Sequence, residues 1–210
     1  MTAVGPEQAG PVDKGGQRPP ASAEAASTEK PSVYVASLSD YNAGRLHGVW
    51  VDPAQDLHDV HHAVTEMLSR SRTPGAEEYA IHDFSGFGRH VEMGEYTPLD
   101  RVHALALGMK EHGMSFAAWW SYVNPLSSDE VELREQFQEG YLGTWGTVED
   151  FAEQYLDDIG AVTIAEQIPT WIQPYLALDI EGFARDLVLG GEIVAIEDVH
   201  GIHVFEGNMG

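Results

Sequence analysis

Val33-Tyr34-Val35-Ala36-Ser37-Leu38-Ser39-Asp40-Tyr41-Asn42-Ala43-Gly44-Arg45-Leu46-His47-Gly48-Val49-Trp50-Val51-Asp52 decides the fold. Val33 to Leu38 has the β-branched and aromatic character of a strand, and His47 to Val51 reads as a second. Between them Tyr41-Asn42-Ala43-Gly44 carries turn residues. Asp52-Pro53 then supplies a helix start, Asp as the cap and Pro at the first helical position. Leu57, Val60, Val64, Met67 and Leu68 follow at helical spacing, so one face of that helix is buried. Tyr79-Ala80-Ile81-His82 is a third strand candidate, ending at Asp83. A small sheet with one packed helix is therefore expected over residues 33–97.

Downstream the pattern turns helical. Thr97-Pro98-Leu99-Asp100 reads as a helix start, and Leu99, Val102, Leu105, Ala106 and Met109 form its apolar stripe up to Gly113. Ser115 opens a short aromatic helix through Trp119 and Trp120 that Asn124-Pro125 ends. Ser127 to Glu130 has capping-box spacing ahead of another helix. Residues 98–140 are thus expected to be a helical unit.

Thr147 to Asp150 opens the clearest helix. Val148, Phe151, Ala152, Tyr155, Leu156 and Ile159 are expected to face inward, with Gly160 as the stop. Asp179 to Leu189 is a further helix closed by Gly190-Gly191. Ile193 to Ile196 and Ile202 to Phe205 flank Asp198-Val199-His200-Gly201 as a hairpin. Residues 141–210 are expected to form a third unit, and the chain as a whole to be α+β, an elongated series of three small domains. Residues 1–32, rich in Gly, Pro, Ala, Ser and Glu, cannot offset their ordering entropy with apolar burial and read as a disordered leader.

The chain of 210 residues has 34 acids against 11 bases, a formal net charge of −23. Such a surface repels phosphate backbones and anionic membranes, so direct nucleic-acid or membrane binding is disfavoured and a basic partner favoured. The charge is unevenly spread: residues 129–210 hold 18 acids and only Arg134 and Arg185 as bases. Like charges at neighbouring helical positions cost about 0.2–0.5 kcal/mol per pair. A protein that needed only solubility would intersperse both signs. With no cysteine, disulfides, thiolate metal sites and cysteine nucleophiles are excluded. No secretory signal or membrane-length apolar run is present, and the cytoplasm is the default compartment.

Few residues suggest catalysis, and no cofactor is implied. His58, His61 and His62 stand close on one predicted helix, but the spacing is not His-Glu-x-x-His. His82-Asp83 could orient an imidazole, yet neighbouring strand residues point to opposite faces. A metal-dependent hydrolase using these histidines is one alternative reading, and a generic acidic protein or chaperone for a basic partner is another. The acids are more informative. Glu149, Glu153 and Asp157 form an i, i+4, i+8 row with Asp150 and Asp158 alongside, successive members about 6 Å apart. Duplex DNA carries one charge per roughly 1.7 Å of axis. Two such chains, about −46 together, would equal the charge on roughly 80 Å of duplex, or about 23 base pairs.

Three segments taken together resemble the ArdA-type antirestriction proteins. The opening stretch is similar to that family's strand, Tyr-Asn-x-Gly turn and Gly-x-Trp strand, through Tyr41, Asn42, Gly44, Gly48 and Trp50. Glu77-Glu78-Tyr79-Ala80-Ile81-His82-Asp83-Phe84 resembles its Glu-Glu-Tyr-Ala-Ile-His-Asp-Tyr motif. Gly182-Phe183-Ala184-Arg185-Asp186-Leu187 is similar to its C-terminal helix. The resemblance implies a non-enzymatic homodimer, joined through the C-terminal unit, that mimics B-form DNA. Such a protein occupies the DNA-binding groove of type I restriction–modification enzymes and protects incoming mobile DNA. It also implies that Tyr41, Asn42, Gly44, Gly48, Trp50, His82, Asp83, Arg185 and Asp186 are structural. The mimicking surface is then expected at Asp129, Glu130, Glu132, Glu135, Glu139, Glu149, Asp150, Glu153, Asp157 and Asp158.

Overall fold

The computed structural model describes residues 30–161, 168–172 and 178–208. Within them the chain is α+β, with two three-stranded antiparallel sheets and seven helices. The first sheet has β1 (Ser32–Ser37) between β2 (Gly48–Val51) and β3 (Tyr79–Ser85). Strand β1 thus includes Ser32, the last residue of the expected leader; residues 1–29 lie outside the described residues. Alternation puts Val33, Val35, Val51 and Ile81 into the core. Strand β3 runs past the expected end at His82, because a bulge at that residue lets Asp83 pair with Tyr34 and Phe84 with Val33.

The β1–β2 connection adds a short helix, α1 (Leu38–Asn42), ahead of the expected turn, in which the Gly44 N–H donates to the Tyr41 carbonyl at 2.9 Å. Ser37 caps it, its Oγ accepting from the Asp40 N–H at 3.3 Å. Gly44 follows in the left-handed region at φ 75°. The next helix, α2 (Leu57–Ser69), starts later than expected. Asp56 Oδ1 takes the His58 N–H at 2.8 Å, while Asp52 Oδ1 takes that of Ala54 in a local turn. Both aspartates hold an amide two residues on, but only the one held by Asp56 belongs to the first turn of the helix. Val60, Val64 and Met67 are the buried face.

Helices α3 (Leu99–His112), α4 (Met114–Val123) and α5 (Glu130–Gly140) form the middle of the chain. Two caps differ from expectation. Thr97 Oγ1 accepts from Gly94 N–H at 3.1 Å, leaving α3 without a side-chain cap. Asp129, not Ser127, caps α5 by accepting from the Val131 and Glu132 amides, while Ser127 donates to Glu132 at 2.7 Å. The second sheet places β6 (Gly201–Glu206) between β4 (Tyr141–Trp145) and β5 (Ile193–Asp198), the last two strands forming the expected hairpin. Strand β4, which the sequence pattern did not reveal, is interrupted by a register shift between Tyr141 and Gly143. On this sheet pack α6 (Val148–Asp158) and α7 (Ile180–Leu189).

One connected cluster of buried residues runs from Val33 through α2, α3, α4 and α5 to Phe205 in β6. It crosses the chain at both 97/98 and 140/141, the expected boundaries. Its centre is an aromatic node. The Phe137 ring centroid lies 4.7 Å from that of His112, 4.9 Å from Tyr141, 5.3 Å from Phe116, 5.9 Å from Trp119 and 6.4 Å from Phe205. A smaller cluster of Phe151, Ile193 and Val204 lies under α6.

A polar knot fastens the α1 end of the first sheet. Asp40 is buried, its Oδ1 accepting from Arg45 Nε at 2.9 Å and Nη2 at 2.7 Å and its Oδ2 from Ser71 Oγ at 2.5 Å. Thr73 closes the ring, accepting from Arg45 Nη2 at 2.6 Å. The Ser71 hydroxyl, together with the Arg45 hydrogen bonds and charge, outweighs burial and holds the Asp40 carboxyl down at about 2.

Two outcomes follow. Phe137→Ala should cost about 3–5 kcal/mol in denaturant unfolding, because it empties the node shared by five rings; a loss below about 1 kcal/mol would contradict the packing. Because the folded-state pKa of Asp40 lies below its ordinary value of 3.8, its stabilisation is full above that value and is lost as pH falls through about 2. Asp40→Asn should therefore be less stable at neutral pH and show a shallower loss of stability between those pH values. An unchanged acid slope would contradict the assignment.

Candidate functional site

Helix α5 is held to the core by Leu133 and Phe137, with Gly140 buried at its end. With those positions inward, Glu130, Glu132, Glu135 and Glu139 fall on the exposed side, next to the exposed cap Asp129. Helix α6 repeats the arrangement. Phe151, Ala152 and Leu156 face inward, and Glu149, Asp150, Glu153, Asp157 and Asp158 are all exposed. Thr147 and Asp150 form the expected capping box, with Thr147 N–H on Asp150 Oδ2 at 2.9 Å and Asp150 N–H on Thr147 Oγ1 at 3.0 Å. Tyr155 and Ile159, expected inward, are 43% and 57% exposed. The inward stripe is narrower than the six positions read from the sequence, since the underlying cluster is small.

The ten acids differ in their engagements. Asp129 and Asp150 cap helices, Glu132 accepts from Ser127 and Gln136, and Asp158 accepts from Gln154. Glu130 Oε1 stands 3.5 Å from His103 Nε2. Among the described residues, none of the ten lies within ion-pair distance of a lysine or arginine. Arg134, on α5 itself, turns instead to Glu111 of α3 at 3.0 Å. Arg185 lies 3.7 Å from Asp186, both exposed on α7. The surface is therefore a field of uncompensated carboxylates.

The histidines of the alternative reading are placed apart from any ligand set. On the exposed side of α2, His61 Nε2 meets Asp100 Oδ1 of α3 at 2.8 Å, and the His58 and His62 rings are 6.3 Å apart. Among the described residues no three His, Asp or Glu side chains converge at metal-binding spacing. His82 does not pair with Asp83. Its ring meets Tyr41 edge-on at 4.6 Å, while Asp83 Oδ1 accepts the Phe84 N–H at 2.8 Å. An open groove of about 840 Å3 is lined by His90, Met93, Pro98, Arg101, Trp120 and Asn124. Its arginine is already engaged, lying 5.1 Å from the Trp120 ring centroid and donating to Asn124 Oδ1 at 2.6 Å.

Other motif residues have local roles. Gly48 is required because a Cβ there would come within 2.5 Å of the Val35 carbonyl oxygen and 2.7 Å of Tyr34 Cζ. Asn42 is exposed beside Gly44. In the C-terminal helix Ala184 is buried and Leu187 packs on the smaller cluster, whereas Val188 and Leu189 are exposed.

No local sequence pattern marks a buried polar pair within the β5–β6 hairpin. His203 Nε2 stands 3.0 Å from Asp198 Oδ2, both side chains almost fully buried, and His203 Nδ1 is 2.8 Å from Thr144 Oγ1. Burial pushes the Asp198 carboxyl up, but the His200 N–H and His203 overcome this and hold it below its ordinary value. The separations of 59 residues to Thr144 and five to Asp198 hide the cluster from any local pattern.

Among the described residues no helix is long and apolar enough to cross a membrane. The family model of the antirestriction protein ArdA matches residues 33–201, from the first strand to the start of the last. No curated protein matches the chain. With most of its length covered by that model, and with the motif residues set in one α+β framework beneath an acidic surface, the chain belongs to the ArdA family of antirestriction proteins.

Proposed function

We propose that this protein acts as a mimic of B-form DNA, occupying the DNA-binding groove of type I restriction–modification enzymes and so protecting incoming mobile DNA in the cytoplasm. The observation that carries the reading is that ten exposed acids on and beside α5 and α6 have no lysine or arginine partner among the described residues. A carboxylate field left uncompensated costs the fold stability and is suited to a groove that supplies the cations. The mimic works without chemistry: binding energy comes from many modest charge contacts and from counterions released by the enzyme's groove.

The active form in this reading is a homodimer joined through the third of three units, 33–97, 98–140 and 141–210. Exposed apolar side chains support that surface: Tyr155 on α6 and Ile159 just past its end, Val188 and Leu189 on α7. A dimer would bring two acidic faces into one ligand of duplex-like charge.

Competition tests the reading. Excess protein should displace labelled duplex from a purified type I methyltransferase at low salt, and displacement should weaken steeply as salt rises. Glu153→Lys alone should change the required concentration only a few-fold. The triple change Glu149→Gln, Glu153→Gln and Asp157→Asn should raise it about tenfold, three exposed charge contacts at roughly 0.5 kcal/mol each. Duplex that stays bound in the presence of excess protein would overturn the proposal.

A further inference from the structure

Helix α5 is seated on a histidine as well as on apolar side chains. His112, at the end of α3, has its ring centroid 4.7 Å from that of Phe137 on α5 and 6.0 Å from that of Phe116 on α4, the latter pair stacked at 22°. The side chain is only 18% exposed. Its Nε2 is fully enclosed, and among the described residues nothing hydrogen-bonds to it. Beside the ring lies a cavity of about 20 Å3 bordered by Leu107, Gly108, Glu111, Glu130, Leu133 and Arg134. That is room for about one water.

Charged groups face the ring from two helices. Glu111 Oε1, on α3 itself, stands 3.8 Å from Nε2, beyond hydrogen-bond reach. Its other oxygen is taken at 3.0 Å by Arg134 of α5, which brings a cation to the same place. Glu130 of α5 borders the cavity and stands 3.5 Å from His103 Nε2 of α3. Helix α4 carries no charged residue. A neutral imidazole suits this setting, because it stacks on two rings. A charged one has an enclosed N–H with no acceptor and a guanidinium for a neighbour.

We propose that His112 makes the seat of α5 pH-sensitive: as a neutral ring it belongs to the aromatic node, and as a cation it loosens the acid-bearing helix. Burial outweighs the opposing effect of Glu111, Arg134 adds to it, and the imidazole is held below its ordinary value of 6.5. With the folded-state value lowered, the stabilisation from the neutral ring is full above 6.5 and is lost as pH falls through the folded value. The helix concerned carries Glu130, Glu132, Glu135 and Glu139, with Asp129 as its cap, so mildly acidic pH disturbs the placement of those acids. The device belongs to the fold and does not depend on which target the acids meet.

His112→Phe keeps a ring in the node and removes the titration. Unfolding equilibria and amide-exchange protection of wild type and variant are compared at about pH 7.5 and about pH 5.5, either side of the ordinary histidine range. Relief of carboxylate repulsion on acidification is common to both proteins and cancels. Between the two conditions the wild-type unfolding constant should rise at least about threefold more than that of the variant, within the limit of about tenfold per pH unit that one proton sets. The α5 amides should lose protection in the wild type alone. Equal pH dependence of the two proteins would overturn the proposal, as would a loss of protection confined to elements other than α5. Proton NMR of the wild type decides the matter even if the variant does not fold. The His112 ring should titrate with a midpoint below 6.5, and a midpoint at or above that value would overturn the proposal.

Discussion

The Phe137 ring is the contact on which the other features depend. Around it α3, α4, α5, β4 and β6 each contribute an aromatic ring to a shared neighbourhood. Through it the first sheet and the helices share a core with the second sheet. It also solves a local problem. Helix α5 has four glutamates exposed and its only arginine turned away to Glu111, so its electrostatics oppose folding. Leu133 and Phe137, both essentially fully buried, supply the opposing term. Burying two large apolar side chains is worth about 3–6 kcal/mol, more than a few like-charge pairs at about 0.2–0.5 kcal/mol each.

The same division of labour recurs on α6, where Phe151, Ala152 and Leu156 hold a helix whose exposed side is a row of acids. Stability comes from one face, and the other carries the unpaired charge. The two cations that could have relieved the repulsion do not: Arg134 reaches across to α3, and Arg185 contacts its own neighbour on α7. By contrast several acids nearer the first sheet have partners within the fold. Asp40 is caged by Arg45, Ser71 and Thr73, Asp100 meets His61, and Glu66 pairs with Arg70. In the proposed mimicry, the α5 and α6 acids that no lysine or arginine pairs are the ones a target's cations would meet.

The sequence made the α+β class, most strands and every helix but α1 readable, because those signals are local. Thr147 with Asp150 was legible as a cap since both partners lie within four residues. Asp52, Thr97 and Ser127 have the residue types of caps, but each has a competing acceptor or an alternative turn a few residues away, and pattern alone does not decide between them. Strand β4 was missed because Gly143 breaks its alternation at a register shift. The Asp40 knot and the Asp198–His203–Thr144 cluster depend on partners up to 59 residues distant. For the acidic site, counting located the excess charge, but only the fold shows which acids face solvent and that Arg134 is turned away from them. Tyr155 and Ile159 fit the helical stripe of the core, whereas burial under α6 stops at Leu156.

Carboxylate labelling of the protein, free and in complex with a type I methyltransferase, tests the central claim most directly. If the unpaired acids are the binding surface, Glu135, Glu139, Glu149, Glu153 and Asp157 should label readily in the free protein and be strongly protected in the complex. Glu66, paired with Arg70 on α2, should label equally in both. Equal labelling of the α5 and α6 acids with and without the enzyme, in a complex shown to be formed, would contradict the account.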